Sequence, residues 1–451
     1  MFIQYIERIY NMFEFGFYEK EITPPLGCAM PGYFNLRAST DVKDRLYARA
    51  VAVRSDSNCA IIISIDQCVM QSASVKAVTD RVEEYTGIER GSILVSCTHT
   101  HTGIPLKDDG WQDDEKSYDA KSGYDTVATK LIADCAILAY MRMQRAEVFF
   151  GKGEVDGISF CRNFYMKNSS PRTNPPRTSP EIEGPVSDTD NELPLLFVKD
   201  LSGNPLGVII SFACHPDCVD REMYSGDYIS ELSIQLKKNF GNDFVTVFLL
   251  GTCGNINHFD VSKKSDAADH YKMMGQKIAG EAIKTVAFAS PLKQSGVKTS
   301  YEKMIIDRVE ITEDEINEAK HTIETIKEMP GVKIAADGSD PDQYKLGMAK
   351  RLMAFLDTAA PKYEVPMQVM QIGEFTLYAF PSEIFCHFGT LVKAGDGTGV
   401  CMVASLCNAW FGYVPTRDMF YDTIYESCPG TNLLNKEAGY IMAEKLVSMK
   451  K

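Results

Sequence analysis

A chain of 451 residues that is 45% hydrophobic and 24% charged can bury a large core and is too apolar to be disordered. Its 61 acidic residues outnumber 47 basic ones, a net charge of -14, so a nucleic-acid backbone would be repelled. The longest apolar runs, at 59–65, 206–213 and 245–250, are strand lengths and fall short of the roughly 18 residues that a membrane-spanning helix needs.

The N-terminal MFIQYIERIYNMF carries Glu7 and Arg8 in its middle and has neither a basic leader region nor a small-residue cleavage site, so a non-secreted chain is expected. Thirteen cysteines, an odd number without a C-x-x-C pair, mostly sit in apolar runs (Cys59, Cys97, Cys214, Cys401); buried thiols in a reducing cytoplasm are expected. From about residue 46 short β-branched runs alternate with longer amphipathic ones. Strands are expected at 46–54, 59–66, 92–97, 195–200, 206–214, 244–250, 367–380 and 400–406, with a hairpin turn at Gly373-Glu374. Helices are expected at 71–86, 123–143, 228–240, 265–287, 312–328, 342–357 and 435–448, with Ser225 and Asp227 as cap candidates for the third. The fold class that follows is α/β, with mixed β-sheets flanked by helices.

Residues 166–190 are rich in Pro, Ser and Thr and read as a long loop, functional or disordered, rather than an element interior, with a lid as one hypothesis for its role. The charged stretch 303–365 reads as a peripheral helical insertion. No repeat and no linker between two cores is evident, so one domain over residues 1–451 is expected.

Several apolar strands run directly into groups able to hold a metal or polarise a carbonyl. Strand 92–97 leads into Thr98-His99-Thr100-His101, strand 206–214 into His215-Pro216, strand 244–250 into Gly251-Thr252-Cys253-Gly254-Asn255, and the strand ending at Phe380 into Pro381-Ser382-Glu383. Ligand sites of open α/β sheets lie beyond the carboxyl ends of strands, so these groups can meet in one place. Three of the seven histidines occupy these ends. Alternation along a strand would point His99 and His101 to one side, one onto a metal and the other beside it. Two histidines and Glu383 meet the donor needs of a catalytic zinc, which keeps one position open. His215 taken alone could equally be a core histidine, and Glu383 a carboxylate at a helix start. The metallo-β-lactamase pattern H-x-H-x-D-H is not met, because Thr102, Gly103 and Ile104 follow His101. An amidohydrolase barrel would carry H-x-H near its first strand, whereas at least two strands precede this one. His258, His270, His321 and His387 read as surface or structural, although His258 is close in sequence to the glycine turn.

In its order of motifs the chain resembles the catalytic domain of the neutral/alkaline non-lysosomal ceramidases. The motifs are Glu21-Ile22-Thr23-Pro24-Pro25-Leu26-Gly27, Gly32-Tyr33, Ser96 through Gly103, Ser211 through Pro216, Ser225-Gly226-Asp227, Gly254-Asn255, Phe380 through Glu383, and Gly412 through Arg417 continuing to Tyr425-Glu426. That resemblance implies one zinc per chain held by His99, His215, Glu383 and Tyr413, with His101 beside it to stabilise an oxyanion. It also implies that Arg162 is the active-site arginine and Tyr425 the tyrosine that polarises the carbonyl. The reaction implied is hydrolysis of a linear amide by zinc-activated water, on an N-acyl substrate that is lipid-like or smaller and soluble.

Two departures stand out. The ceramidases have a serine in a Gly-Asn-Leu-Ser-Pro-like turn where this chain has Gly254-Asn255-Ile256-Asn257-His258. An amide cannot be a nucleophile, which leaves Asn257 as a hydrogen-bond donor. The C-terminal immunoglobulin-like domain of the ceramidases is expected to be missing, and with it and the leader absent, membrane-embedded ceramide is in doubt as the substrate. Two alternatives stay open: a zinc-dependent esterase on the same scaffold, and a non-catalytic metal- or ligand-binding homologue. Acyl length and oligomeric state are not readable.

Overall fold

The computed structural model describes residues 13–33, 37–104, 106, 123–167, 169–219, 222–293, 296–329 and 340–450. The segment 1–12, read above for a leader, lies outside the described residues.

The larger sheet contains β1 (Glu14–Glu21), β2 (Tyr47–Ser55), β3 (Asn58–Ile65), β4 (Ile93–Cys97), β5 (Gln144–Glu154), β6 (Glu192–Asp200), β7 (Pro205–Phe212) and β8 (Val245–Leu250), in the spatial order β8-β7-β6-β5-β1-β2-β3-β4, with Ser290–Pro291 pairing on β5. A smaller sheet orders β9 (Val297–Asp307), β10 (Lys362–Ile372), β11 (Phe375–Ala379) and β12 (Cys401–Ala404) consecutively. The helices are α1 (Ser72–Thr86), α2 (Tyr124–Met141), α3 (Asp227–Phe240), α4 (His270–Phe288), α5 (Glu313–Thr325), α6 (Pro341–Thr358), α7 (Cys386–Asp396) and α8 (Ala438–Ser448).

Side-chain alternation divides the core into layers. In β2 and β3, Ala48, Ala50, Ile61 and Ile63 face the helices α1–α4, while Val51, Val53 and Ile62 face the smaller sheet. The other face of the smaller sheet is covered by α7 and α8 through Phe388, Val392, Met442 and Leu446. A central sheet buried on both faces reads as an unbroken apolar run, which is why β3 was legible as Ala60-Ile61-Ile62-Ile63.

Within the two main sheets three strand pairs are parallel: β3 with β4 across α1, β7 with β8 across α3, and β11 with β12 across α7. Parallel pairing sets two carboxyl ends side by side, and every candidate ligand follows one of these ends.

Strand pairing between the two halves of the larger sheet is confined, among the described residues, to Glu14↔Arg145 and Phe15↔Gln144. From that narrow join the sheet folds back, and the Ser64 hydroxyl of β3 donates to the Phe248 carbonyl of β8 at 2.5 Å. The carboxyl ends of β4 and β8, the two edges of the strand order, thereby come to one place.

Several expectations need correction. The Pro-rich stretch contains strands: Ser169–Thr173 and Ile182–Pro185 flank Asn163–Met166 in a three-stranded sheet. Pro171 and Pro185 are accommodated because both lie on edge strands, where a missing N–H costs no ladder bond. Helix α7 escapes a pattern search because Gly389 and Gly395 dilute it. Both are required by packing, since a Cβ at Gly389 would lie 2.1 Å from the Thr252 hydroxyl and one at Gly395 would lie 2.8 Å from Val447. Strand β9 is polar along much of its length, and the sequence reading took part of it as helical. It pairs with β10 over eleven residues, Val297↔Ile372 to Asp307↔Lys362, and the α5–α6 pair is an excursion between these two strands. The residue flanking the start of α3 is Gly226 rather than Ser225 or Asp227, and the Ser225 hydroxyl instead accepts from the Asp227 N–H at 3.0 Å.

Where β3 ends, Arg49 and Asp66 form a fully buried ion pair at 3.0 Å, and Asp66 also accepts from the Tyr47 N–H. Truncating one partner leaves a buried charge uncompensated. We expect Asp66→Ala to lower the unfolding free energy by about 3 kcal/mol in denaturant titrations, with an unchanged m-value. A loss below about 1 kcal/mol would contradict a structural role for the pair.

Candidate metal centre

After β4 the backbone is held in a tight turn by two bonds, Thr98 N–H to the Ile65 carbonyl at 2.8 Å and His99 N–H to the Gln67 carbonyl at 2.9 Å. His99 adopts a left-handed conformation, φ +71°. The strand has already ended at Cys97, so pleat alternation does not aim the two histidines. The left-handed turn does, bringing the rings edge-on at 4.8 Å with Nε2 atoms 3.4 Å apart. Gly32 closes the other side of His101: with φ +106°, any Cβ would lie 2.8 Å from the imidazole Cγ, and Tyr33 packs edge-on against the ring at 5.2 Å.

His215 follows β7, and Glu383 follows β11. A two-residue parallel ladder joins Glu383-Ile384 to Tyr413-Val414, so the carboxylate and the phenol are carried by one short frame. That frame packs on the turn after β8, where a Cβ on Gly254 would lie 2.4 Å from the Glu383 carbonyl oxygen. A second ladder, Phe160-Cys161 with Ile256-Asn257, fixes Arg162 and Asn257 next to each other.

These elements bring their side chains to a point. Glu383 Oε2 lies 3.1 Å from His99 Nε2 and 3.4 Å from His215 Nε2, and the Tyr413 hydroxyl is 3.4 Å from His215 Nε2. The ligand atoms of His99, His215 and Glu383 all lie within 4.8 Å of one another, and all three residues are buried. Both imidazoles are held from behind: His99 Nδ1 is 2.8 Å from the Cys68 carbonyl, and His215 Nδ1 is 2.9 Å from the Cys253 and 3.0 Å from the Ile256 carbonyl. Each ring therefore donates its Nδ1 proton to backbone and turns an Nε2 lone pair inward, the arrangement of a metal-binding histidine with its supporting acceptor. Glu383 Oε1 accepts from Trp410 Nε1 at 2.9 Å, while Oε2 is buried with no hydrogen-bond partner. Lone pairs of two nitrogens and a carboxylate facing one another repel unless a cation lies among them, so the donor set fits a divalent metal.

Burial opposes ionisation of Glu383, yet positive charge on His99, together with His215, holds its carboxyl well below the usual carboxylate range. His99, despite its own burial, is in turn held well above the usual imidazole value by its neighbours Cys68 and Glu383, so that without a metal it takes the place of the cation. Burial and the neighbouring His99 hold His101 well below the usual imidazole value, so it is neutral at pH 7. The Tyr413 phenol is pushed up by burial and by the Glu383 charge, with Arg162 pulling the other way. A phenolate at Tyr413 thus requires additional positive charge at this point.

Arg162 is the charged group against the cluster. Its Nη1 is 3.4 Å from His215 Nε2 and 3.5 Å from Asn257 Oδ1, and its Nη2 is buried without a hydrogen-bond acceptor. Its Nε donates to Glu426 at 2.5 Å, and Glu426 also accepts from Asn163 Nδ2 at 3.0 Å and from the Thr173 hydroxyl at 2.7 Å. The Asn257 amide donates to Asn174 Oδ1 at 2.8 Å. Tyr425 stacks edge-on against Tyr413 at 5.4 Å, and its hydroxyl accepts from Arg351 Nη1 at 3.1 Å.

All eight residues singled out in the sequence therefore share one contact network. Sequence reasoning missed Trp410, Arg351 and the role of Glu426. Glu426 was visible beside Tyr425, but nothing local marks Arg351, a mid-helix arginine of the charged α6, as a partner of Tyr425.

Comparison with known proteins gives the family and the fold. A family model described as neutral/alkaline non-lysosomal ceramidase, N-terminal, matches residues 13–256, just over half of the chain. Neutral ceramidase A of Dictyostelium discoideum is 25% identical over 214 residues, which are 46% of this chain and 28% of that protein. Neutral ceramidase B of the same organism is 24% identical over 212 residues, 44% of this chain and 27% of that protein. The matched stretch is thus under a third of either relative. The crystal structure of neutral ceramidase from Pseudomonas aeruginosa superposes with a TM-score of 0.72 at 18% identity, over 97% of this chain and 74% of that one, and a ceramidase complexed with C2 does so equally well at 17% identity. At such identities the likeness is one of fold. With the family model covering residues 13–256, the chain belongs to the neutral/alkaline non-lysosomal ceramidase family.

Proposed function

We propose that the chain is a zinc-dependent hydrolase of linear amides acting on N-acyl, lipid-like substrates. The observation that carries this reading is the convergence of His99, His215 and Glu383 with both imidazoles committed through Nδ1 to backbone carbonyls and Glu383 Oε2 left without a partner. Those three residues and Tyr413 would hold the metal, an N, N, O set that suits zinc. Bound there, zinc would supply Lewis acidity and lower the pKa of water.

The rest of the chemistry belongs to the chain. His101, neutral and buried beside His99, can accept or donate a proton at the reacting centre. Arg162, anchored through Nε by Glu426, directs an uncommitted Nη2 toward developing negative charge. Tyr425 is kept protonated by burial, and the Arg351 guanidinium that donates to its oxygen orients the hydroxyl. As a neutral donor it can polarise the scissile carbonyl. Trp410 holds Glu383 by one oxygen and leaves the other directed at the cluster. Asn257 has no nucleophilic atom, which favours direct attack by water over a covalent acyl intermediate. Membership of the ceramidase family supports an amide between a fatty acyl chain and an amine as the substrate class.

The test uses protein purified without chelators, assayed by plasma mass spectrometry and with paired N-acyl amide and O-acyl ester substrates. We expect His215→Ala and Glu383→Gln each to carry one zinc fewer than the wild type and to lose amide turnover. A His215→Ala protein that retains both metal and activity would refute the assignment. Ester turnover without amide turnover would make the chain an esterase, and tight N-acyl lipid binding without turnover between about pH 6 and 9 would make it a binding protein.

For Tyr425→Phe we expect kcat to fall on the order of 10²-fold with little change in KM, as for loss of one oxyanion donor. A rise in KM at constant kcat would assign Tyr425 to ground-state binding instead.

A further inference from the structure

A second group of ligand-bearing side chains lies beside the first and shares none of its members. Cys218 is three residues beyond His215, His258 follows Asn257, and His270 opens α4; their ligand atoms all lie within 4.8 Å of one another. His258 Nε2 lies 3.2 Å from Asp217 Oδ1, and His270 Nε2 lies 2.8 Å from the His258 carbonyl. Each ring thus spends its Nε2 proton on an acceptor and keeps Nδ1 as the bare nitrogen. His258 is only 8% exposed, and its Nδ1 is buried with no hydrogen-bond partner. The Cys218 thiol donates to the Met274 thioether, Sγ to Sδ 3.4 Å, a weak acceptor.

An ion pair between His258 and Asp217 accounts for one side of the imidazole and leaves the other unsatisfied. A protonated Nδ1 would point an N–H at nothing, and a neutral one points a lone pair inward. A cation held by His258 Nδ1, a second imidazole and a thiolate resolves this, with Asp217 orienting His258 as carboxylates orient zinc-binding histidines.

We propose that Cys218, His258 and His270 bind a second transition-metal ion, zinc(II) in a thiolate and bis-imidazole set, separate from the His99, His215 and Glu383 centre. Binding forms one sulfur–metal and two nitrogen–metal bonds and releases the thiol proton to solvent. Its effect is structural. The ion ties the loop that carries His215 and the segment that carries Asn257 to the first turn of α4, and so fixes two elements of the first centre from outside it.

Cobalt(II) in place of zinc tests this without reference to activity, because thiolate ligation gives an intense near-ultraviolet charge-transfer band that a centre of two histidines and a glutamate lacks. In the full chain we expect the band in the wild type and in Glu383→Gln. We expect it to be lost in Cys218→Ser and in His270→Ala, each with one zinc fewer than the wild type by mass spectrometry, and kept in Cys68→Ala, whose sulfur lies 3.6 Å from His99 Nδ1. Absence of the band in the wild type, its survival in Cys218→Ser, or its loss in Cys68→Ala would overturn the proposal. The two centres fail differently: without the first, the wild type keeps about one ion with the band, and without the second, about one ion without it.

Discussion

The site exists because the larger sheet folds back on itself. Its halves are joined at a narrow corner near Phe15, and strands at opposite ends of the order are sutured by bonds that cross the seam. The segment after β12 completes the suture: the Ser405 N–H donates to the Leu250 carbonyl at 2.8 Å, the Ser405 hydroxyl to the Gly251 carbonyl at 2.8 Å, and the Asn408 N–H to the Val95 carbonyl at 2.8 Å. Asn408 returns the contact through Oδ1, which accepts from the Val95 N–H at 3.0 Å, and its amide donates to Gln368 at 2.6 Å. Such buried polar contacts cost free energy if left unmade, so they specify closure more than they stabilise it. With the seam closed, the carboxyl ends of the three parallel pairs of the main sheets open onto one volume.

Within that volume the charges are balanced in two tiers. In the inner tier Nε2 atoms and a carboxylate oxygen face one another once both imidazoles have bonded backward to carbonyls, so positive charge, on His99 or on a metal, has to lie among them. The outer tier, Arg162 with Glu426, is a buried ion pair whose remaining valences are filled by Asn163 and Thr173. A guanidinium anchored at one end and open at the other is a preorganised donor, and it pays no reorganisation cost when negative charge develops beside it.

Two segments that look peripheral in the sequence reach this outer tier. The Pro-rich stretch delivers Thr173 to Glu426 and to the Tyr425 N–H, and the helical excursion between β9 and β10 delivers Arg351 to the Tyr425 hydroxyl. Both therefore shape the surroundings of Tyr425 and Glu426 rather than decorating the surface.

Much of the scaffold was legible from residue patterns. Runs such as Ala60-Ile61-Ile62-Ile63 and Val245 through Leu250 declare central strands, because burial on both faces leaves no polar alternation to confuse. Half-buried or glycine-bearing elements were not: β5 carries Gly151 and Gly153 where Thr285 of α4 presses in, and β1 mixes buried Phe15 with mostly half-buried charges. The strand ends themselves marked His99, His101, His215 and Glu383, which follow directly on apolar strands, whereas Arg162, Asn257, Tyr413 and Tyr425 were named only through the resemblance of the whole motif order to the family. What the sequence by itself determined was therefore which strands are central and which polar residues stand at their carboxyl ends. Only the tertiary structure decided that opposite edges of one sheet meet, that a left-handed His99 rather than strand alternation aims the histidine pair, and that Arg351, Trp410 and Glu426 belong to the site. The reason is physical: each of these depends on hydrogen bonds and close contacts between residues tens to hundreds of positions apart, for which the local pattern carries no signal.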